Sequence, residues 1–168
     1  MKQIILLIFI FSLSACTGID TKPVVPIQVK AIPSVWNVSG RLGAHVQETQ
    51  HNAGFDISFN QKNYELLLTG TLGLGQIMIK SDAQTLLVND KPINSTFKHW
   101  MNEELGWYFP VQKIPSIVFS RQTKIDTDWQ IEVMSYQQLN QTNYPRVVRF
   151  SHTSKPIKIK LVLSNINS

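Results

Sequence analysis

The chain has 168 residues, of which 43% are hydrophobic and 16% are charged, and its formal net charge is +5. This length and hydrophobic content fit one globular domain with one core. The chain contains a single cysteine, Cys16, which excludes a disulfide bond within it. Basic residues do not form a run interleaved with aromatics, so nucleic acid is not an expected partner. The mild basic excess fits anionic head groups, an acidic protein partner or an ordinary solvated surface.

Residues 1–15 have the pattern of an export signal. A short basic start precedes the wholly apolar run from Ile4 to Phe11, and small neutral residues follow. The run is too short to span a bilayer, which requires about 20 apolar residues. Leu13-Ser14-Ala15-Cys16 resembles the lipobox of bacterial lipoproteins, in which the cysteine is acylated and becomes the mature N-terminus. A cleaved signal with a chance cysteine is the alternative.

Lipidation of Cys16 would anchor the chain to a membrane. In the sorting rule of bacterial lipoproteins, aspartate after the cysteine favours the inner membrane, so Thr17 predicts the outer membrane, with the domain facing the periplasm. Loss of Lys2 with the signal leaves 15 basic and 11 acidic residues. Three prolines and no sustained period predict an extended tether over 16–33. The folded domain is expected over 34–168, as a monomer.

Alternating apolar and polar residues predict strands through most of this domain. The first runs from Trp36 to Val46, with apolar residues mainly at even positions. Similar alternation marks segments 53–59, 64–68, 77–79, 86–88, 129–133, 148–150 and 157–163. Eight or more strands joined by short turns predict a meandering antiparallel sheet with one apolar face.

Two short helices are predicted between these strands. The first begins at a cap, Ser95, and ends at Gly106. Its apolar face is expected to carry Phe97, Trp100, Met101 and Leu105. The second spans 111–118 and is shortened or kinked by Pro115. Because two short helices cannot cover so many strands, the sheet should curl into a barrel or half-barrel with its apolar side inward.

The alternation also predicts which side chains face that interior. They are Val38, Phe55, Ile57, Leu66, Leu68, Ile77, Ile79, Ile131 and Val133. A register error of one residue would turn each of these side chains to the opposite face. The interior is either packed solid or partly open to an apolar ligand.

Catalytic and metal-binding constellations are not found in the sequence. The four histidines, His45, His51, His99 and His152, are scattered without metal-ligand spacing and are expected at the surface. Glu103-Glu104 fits the solvated face of the first helix. The serine motif G-x-S-x-G is missing, and an acylated Cys16 could not act as a nucleophile. We therefore expect no enzyme, no metal and no cofactor.

The stretch Leu68–Gln76 combines three glycines with the large apolar residues Leu72 and Leu74. Its spacing is not G-x-G-x-x-G, and a strand rather than a helix follows, which excludes a phosphate-binding loop. A loop leucine gains about 1.5 to 3 kcal/mol when it is buried. We therefore expect a membrane, a partner or the core to receive these side chains.

Several segments carry a family resemblance. They are Trp36-Asn-Val-Ser-Gly-Arg-Leu-Gly43, Tyr64-Glu-Leu-Leu-Leu-Thr-Gly-Thr-Leu-Gly73, Leu105-Gly-Trp-Tyr-Phe-Pro-Val111, Trp129-Gln-Ile-Glu-Val-Met-Ser-Tyr136, Tyr144-Pro145-Arg146 and Ile157-Lys-Ile-Lys160. Together they resemble the LolB family of outer-membrane lipoprotein receptors across nearly all of the mature domain. The chain departs from the family where Thr71 replaces a proline, where a Trp and a Gly are missing from 117–124, and at the C-terminal end, 165–168.

The resemblance implies a mainly β fold, an unclosed antiparallel half-barrel whose apolar interior is covered by short helices. It implies that the inward residues, together with Trp107, form a cavity for lipoprotein acyl chains. These chains would arrive from the periplasmic carrier LolA and leave into outer-membrane phospholipid. Leu72, on the protruding loop, would contact the membrane, and Leu74 would share this contact or begin the next strand.

Alternatives remain at two levels. Leu72 could instead fold back onto the core as a packing residue. The whole chain could instead be a structural or assembly-scaffold lipoprotein with a filled core. A lipid-modifying enzyme is disfavoured because the sequence offers no nucleophile with a base.

Overall fold

A computed structural model describes residues 30–73, 75–82, 84–124 and 126–167. The predicted signal over 1–15, the lipidation site Cys16, most of the predicted tether and Leu74 lie outside the described residues. The end of the predicted tether is described, and it already contacts the domain. The backbone N–H of Lys30 donates to the carbonyl of Phe119 at 3.2 Å, and its ammonium donates to Thr142 at 2.8 Å.

Nine strands form one antiparallel sheet in the order β6-β5-β4-β3-β2-β1-β9-β8-β7. Their bounds are β1 Val35–Val46, β2 Thr49–Asn60, β3 Asn63–Gly70, β4 Gln76–Ser81, β5 Leu86–Val88, β6 Lys91–Pro92, β7 Trp129–Leu139, β8 Thr142–His152 and β9 Ile157–Asn167. The edge strands β6 and β7 are not paired with each other, so the sheet does not close. The predicted mainly β, unclosed half-barrel is confirmed.

The strands form where apolar residues alternate, because one face of the sheet is buried and the other is solvated. Along β1, Trp36, Val38 and Leu42 are buried, whereas the intervening Asn37 and Arg41 are exposed. The same alternation holds along β9, where the apolar residues at odd positions from Ile157 to Leu163 are buried and Lys158 and Lys160 between them are exposed. The register predicted from the sequence is therefore the register of the fold.

The chain from β6 to β7 joins the two edges of the sheet and carries one α-helix and two helical turns; a further 3-10 turn, Thr71–Gly73, lies between β3 and β4. Helix α1 spans Phe97–Leu105, and a 3-10 turn over Val111–Lys113 and a π-helical turn over Ser116–Ser120 follow it. We call the described residues 93–124 and 126–128 the cover, because the buried apolar side chains among them pack with the buried face of the sheet. None of the described helices is long and apolar enough to cross a membrane.

The structure corrects one cap and one helix. Thr96, not Ser95, caps α1, and its hydroxyl accepts the backbone N–H of His99 at 3.2 Å. Gly106 ends α1 in the left-handed conformation, which glycine adopts because it has no Cβ atom. The second predicted helix is instead the two short turns, because Pro115 between them cannot donate a backbone hydrogen bond.

Side chains from the sheet and the cover share one core. Trp36 stacks on Phe59 at 4.6 Å between ring centroids and meets Phe119 of the cover edge-on at 4.7 Å. The buried residues form one cluster, whose members extend along the chain from Trp36 to Ile166. We therefore expect segment 30–168 to fold without the residues that precede it.

Candidate functional site

The residues predicted to line the interior lie together on one apolar surface. Eight of them belong to the buried core, namely Val38, Phe55, Ile57, Leu66, Leu68, Ile79, Trp107 and Ile131. The other two, Ile77 and Val133, are partly buried and pack against it. The structure thus brings all ten to one site, and their role in binding acyl chains stays a prediction.

The cover fills the space over this surface. Met101, Phe109 and Ile117 are at most 1% exposed. Helical spacing predicted Met101 and Ile117 but did not point to Phe109, which lies in the irregular stretch between α1 and the 3-10 turn. The sequence signals for Phe109 were its place in the apolar run Trp107-Tyr108-Phe109 and in the family-like segment 105–111. A ligand could enter this interior only if the cover moved.

Three buried polar atoms of the core make no hydrogen bond within the described residues, namely the Tyr64 hydroxyl and the indole Nε1 atoms of Trp107 and Trp129. Of these three residues, only Trp107 belongs to the lining predicted from the sequence. The indole Nε1 of Trp107 is buried and makes no hydrogen bond there, although Trp107 is only 4% exposed. Such a donor is costly to leave unpaired, since nearly all buried polar groups in proteins are bonded. The Nε1 group is therefore available to a ligand that carries a carbonyl oxygen. Elsewhere in the interior, burial raises the pKa of Tyr64 to about 12.

Three polar residues bond to one another within the cover, and we call Lys98, Tyr108 and Asp128 the clasp. The Lys98 ammonium lies 2.5 Å from Asp128 Oδ2, and the Tyr108 hydroxyl donates to the same oxygen at 2.8 Å. The hydrogen bond from Lys98 holds the pKa of Asp128 below its usual value, and the same contact raises the pKa of Lys98. The clasp connects α1 to the start of β7.

The glycine loop between β3 and β4 projects away from the core. Leu72 is 92% exposed, so the alternative that it packs back onto the core is wrong. Its φ of 62° is left-handed, which is unusual for a leucine. Gly73 and Gly75 also have positive φ, and the backbone N–H of Gly70 closes the loop on the carbonyl of Gly75 at 3.0 Å. Leu74 lies outside the described residues, so its predicted contact remains open.

The titratable side chains do not converge on the apolar site. Among the described residues, no group of three His, Cys, Asp or Glu side chains is placed to hold a metal ion. His99 pairs with Glu103 at 3.1 Å on the exposed face of α1. His152 packs its ring on Trp129 at 4.9 Å between ring centroids, and burial lowers its pKa.

The fold and the site together define a class of β protein. Its features are an unclosed antiparallel half-barrel, a covered apolar interior and an exposed leucine on a glycine loop. The family model described as "Outer membrane lipoprotein LolB" matches residues 34–165. The chain therefore belongs to the LolB family. This match confirms the resemblance found in the sequence.

Individual relatives agree with this assignment. The chain is 28% identical over 191 residues to the outer-membrane lipoprotein LolB of Francisella tularensis subsp. tularensis, covering 96% of this chain and 92% of that protein. It is 20% identical over 173 residues to the LolB of Shewanella sediminis, covering 89% and 79%. A DUF1329 family protein from Desulfovibrio piger shares the fold alone, with a TM-score of 0.53, 7% identity, and coverage of 80% of this chain and 85% of that one.

Proposed function

We propose that this protein is an outer-membrane lipoprotein receptor that takes the acyl chains of a lipoprotein into its covered interior and then inserts them into the outer membrane. The observation that carries the proposal is the continuous apolar surface beneath the cover. Each acyl methylene removed from water contributes about 0.8 kcal/mol. A lipoprotein with two or three chains therefore needs an apolar container at every step outside the bilayer.

In this proposal the cover moves and the acyl chains take its place against the sheet. Met101 is well suited to repack when the cover moves, because its unbranched side chain adapts to irregular space. The Trp107 Nε1 group would donate a hydrogen bond to a carbonyl oxygen of the acylated cysteine, which would satisfy this buried donor. Transfer makes and breaks no covalent bond, so the receptor needs no nucleophile and is not an enzyme.

Insertion would use the glycine loop. Burial of the Leu72 side chain in the bilayer interface would contribute about 1.5 to 3 kcal/mol. This contribution is too small to anchor the protein, but it is large enough to bias the loop toward the membrane. Reception in the interior and insertion at the loop are thus separate steps that use different residues.

The proposed location follows from the N-terminal segment and the family. Acylation at Cys16 would hold the chain on the outer membrane, and residues 16–33 would let the domain reach into the periplasm. Clients would come from a periplasmic carrier of the LolA kind and leave into the surrounding phospholipid. The outer-membrane lipoprotein names of the relatives support this location.

A second candidate is a structural or assembly-scaffold lipoprotein. The observation in its favour is the dense filling of the interior, since Met101, Phe109 and Ile117 leave the sheet covered. A scaffold would use the outer surface of the sheet and would keep its cover closed. The two functions therefore differ in whether an acyl chain can enter.

The deciding experiment titrates segment 30–168 with a palmitoylated peptide and with the same peptide unacylated. The receptor proposal expects saturable binding of the palmitoylated peptide at least about tenfold tighter than that of its control, because many methylenes are buried. Equal affinity for both peptides would contradict it and favour the scaffold. Melting of the segment, followed by circular dichroism, checks that it is folded in the assay.

A further inference from the structure

The outer face of the sheet carries a groove that neither the apolar interior nor the glycine loop explains. Its volume is about 900 Å³, and residues of β1, β2, β3, β8 and β9 and of the glycine loop line it. The lining includes the cations Arg41, Arg149, Lys158 and Lys160, and also the exposed Leu72. None of the described residues that line the groove is acidic.

Strand register brings these cations close together. Arg149 on β8 lies directly opposite Lys160 on β9, and such opposed Cβ atoms are about 4.5 to 5.5 Å apart. Lys158 is two residues along β9 on the same exposed face, about 7 Å away. Arg41 pairs with Val162 and is therefore a diagonal neighbour of Lys160. Like charges opposite each other destabilise a sheet, so the cluster has a cost that a bound anion would relieve.

The protein itself offsets little of this charge. Arg149 lies 3.8 Å from Glu132, but their side chains are 47% and 62% exposed, and such pairs contribute little. Two glycines, Gly43 and Gly54, line the groove and carry no side chain that would fill it. A Cβ atom at Gly43 would meet the Asn52 side chain at 3.3 Å, and one at Gly54 would meet Thr69 at 3.8 Å, so a side chain at either position would occupy part of the groove.

We propose that this groove, which we call the cationic groove, binds the anionic head groups of membrane phospholipids. Leu72 is part of its lining, so head-group binding would bring the glycine loop to the bilayer in a fixed orientation. The inference rests on the proposed function in one respect, namely that the domain works at a membrane. Charge complementarity and the adjoining apolar Leu72 favour a lipid surface over an acidic protein.

The test measures binding of segment 30–168, which lacks the lipid anchor, to phospholipid vesicles. One set contains phosphatidylethanolamine with about 30 mol% phosphatidylglycerol, and the other replaces the phosphatidylglycerol with neutral phosphatidylcholine. The groove variant is Lys158→Gln with Lys160→Gln. The matched control is Lys62→Gln with Lys91→Gln, which removes the same charge from exposed positions outside the groove.

We expect the wild type to prefer the anionic vesicles, and the preference to weaken as salt rises from about 0.05 to about 0.3 M. The groove variant should lose about tenfold or more in affinity for them, whereas the control should lose less than about twofold. Equal losses in the two double variants would overturn the proposal, because net charge alone would then explain binding. No preference of the wild type for anionic vesicles would also overturn it.

Two further measurements separate this inference from the alternatives. Binding of an acidic carrier protein that is lost in the groove variant, with vesicle binding intact, would assign the groove to a protein partner and overturn the proposal. The palmitoylated peptide should bind the groove variant as it binds the wild type. If the wild type failed to bind this peptide, the proposed receptor function would be refuted. The vesicle comparison would still test whether the cationic groove binds anionic head groups.

Discussion

Gly40 leaves less room for a side chain than Gly43 or Gly54 in the same sheet. A Cβ atom there would lie 2.1 Å from the carbonyl oxygen of Val162 and 3.0 Å from the ring of Phe55. It sits beside a β-bulge, where the pairing of β1 with β9 shifts by one residue. The glycine is therefore required by close backbone approach and not by its conformational freedom.

Gly40→Ala should lower the free energy of unfolding by about 2 to 4 kcal/mol, because backbone must move to admit the methyl group. Gly43→Ala is the matched control in the same strand. Its methyl group would meet only the end of the Asn52 side chain at 3.3 Å, so a change below about 1 kcal/mol is expected. Urea unfolding of both variants makes the comparison, and equal losses would refute the close-approach explanation.

At Leu72 the residues left a membrane, a partner or the core open, and the family resemblance implied a membrane contact; the structure describes an exposed side chain. Leu72→Glu should leave the melting temperature of segment 30–168 unchanged, because the side chain makes no core contact. It should also leave palmitoylated-peptide binding unchanged and stop insertion of an acylated lipoprotein into phospholipid vesicles. The measurement follows the lipoprotein from receptor to vesicles by flotation.

Leu72→Gly is the control for the added charge, since glycine accepts the φ of 62° at this position. It should impair insertion as well, though less than Leu72→Glu does. Normal insertion by Leu72→Glu would exclude a membrane role for the loop. A fall of several degrees in its melting temperature would instead show that Leu72 supports the fold.

Among the elements, the clasp makes a prediction about pH. The folded-state pKa of Asp128 is lowered, chiefly by its hydrogen bond from Lys98. Its contribution to stability is therefore present above the unfolded pKa of about 3.9 and is lost as pH falls through the folded value. Asp128→Asn should melt at a lower temperature than the wild type at neutral pH, and the gap should close as the solution is acidified.

Asp56→Asn serves as the comparison, because Asp56 is exposed on β2 and lies outside the clasp. Its melting temperature should follow that of the wild type over the whole pH range. A constant gap between Asp128→Asn and the wild type, extending into strong acid, would contradict the linkage. Differential scanning fluorimetry over a pH series is sufficient for the measurement.

Elements with a strict local pattern were predictable, and those decided by distant contacts were not. The alternation along β1 and β9 sets their buried faces, and Gly106 sets the end of α1. The register shift in β7 after Val133 leaves no local signal, because it depends on the pairing with β8. The two turns around Pro115 were foreseen only as a short or kinked helix, since proline marks the interruption but not the geometry on either side.

For the whole molecule, the sequence predicted an apolar interior but did not decide whether it was filled. That answer depends on how the cover, which connects the two edge strands, packs against a sheet formed from both halves of the chain. The pairing of β1 with β9 joins residues more than 100 positions apart, for example Val46 with Ile157. The shape of the interior is thus a property of the assembled fold and not of any one segment.

In the proposed function, an acyl chain replaces the cover against the sheet. Four tryptophans, Trp36, Trp100, Trp107 and Trp129, lie in the buried core and report on this interior. Heavy atoms quench tryptophan only at short range, so a peptide with a brominated acyl chain locates the chain directly. The matched control peptide carries the same chain without bromine, and Trp107→Phe assigns the share of the signal that belongs to Trp107.

The decisive measurement is tryptophan fluorescence of segment 30–168 during titration with the two peptides. We expect saturable quenching by the brominated chain, none by the control, and a smaller effect in Trp107→Phe. Binding of the brominated peptide without quenching would place the chain on the outer surface of the sheet. That result would contradict the claim that the covered interior receives acyl chains.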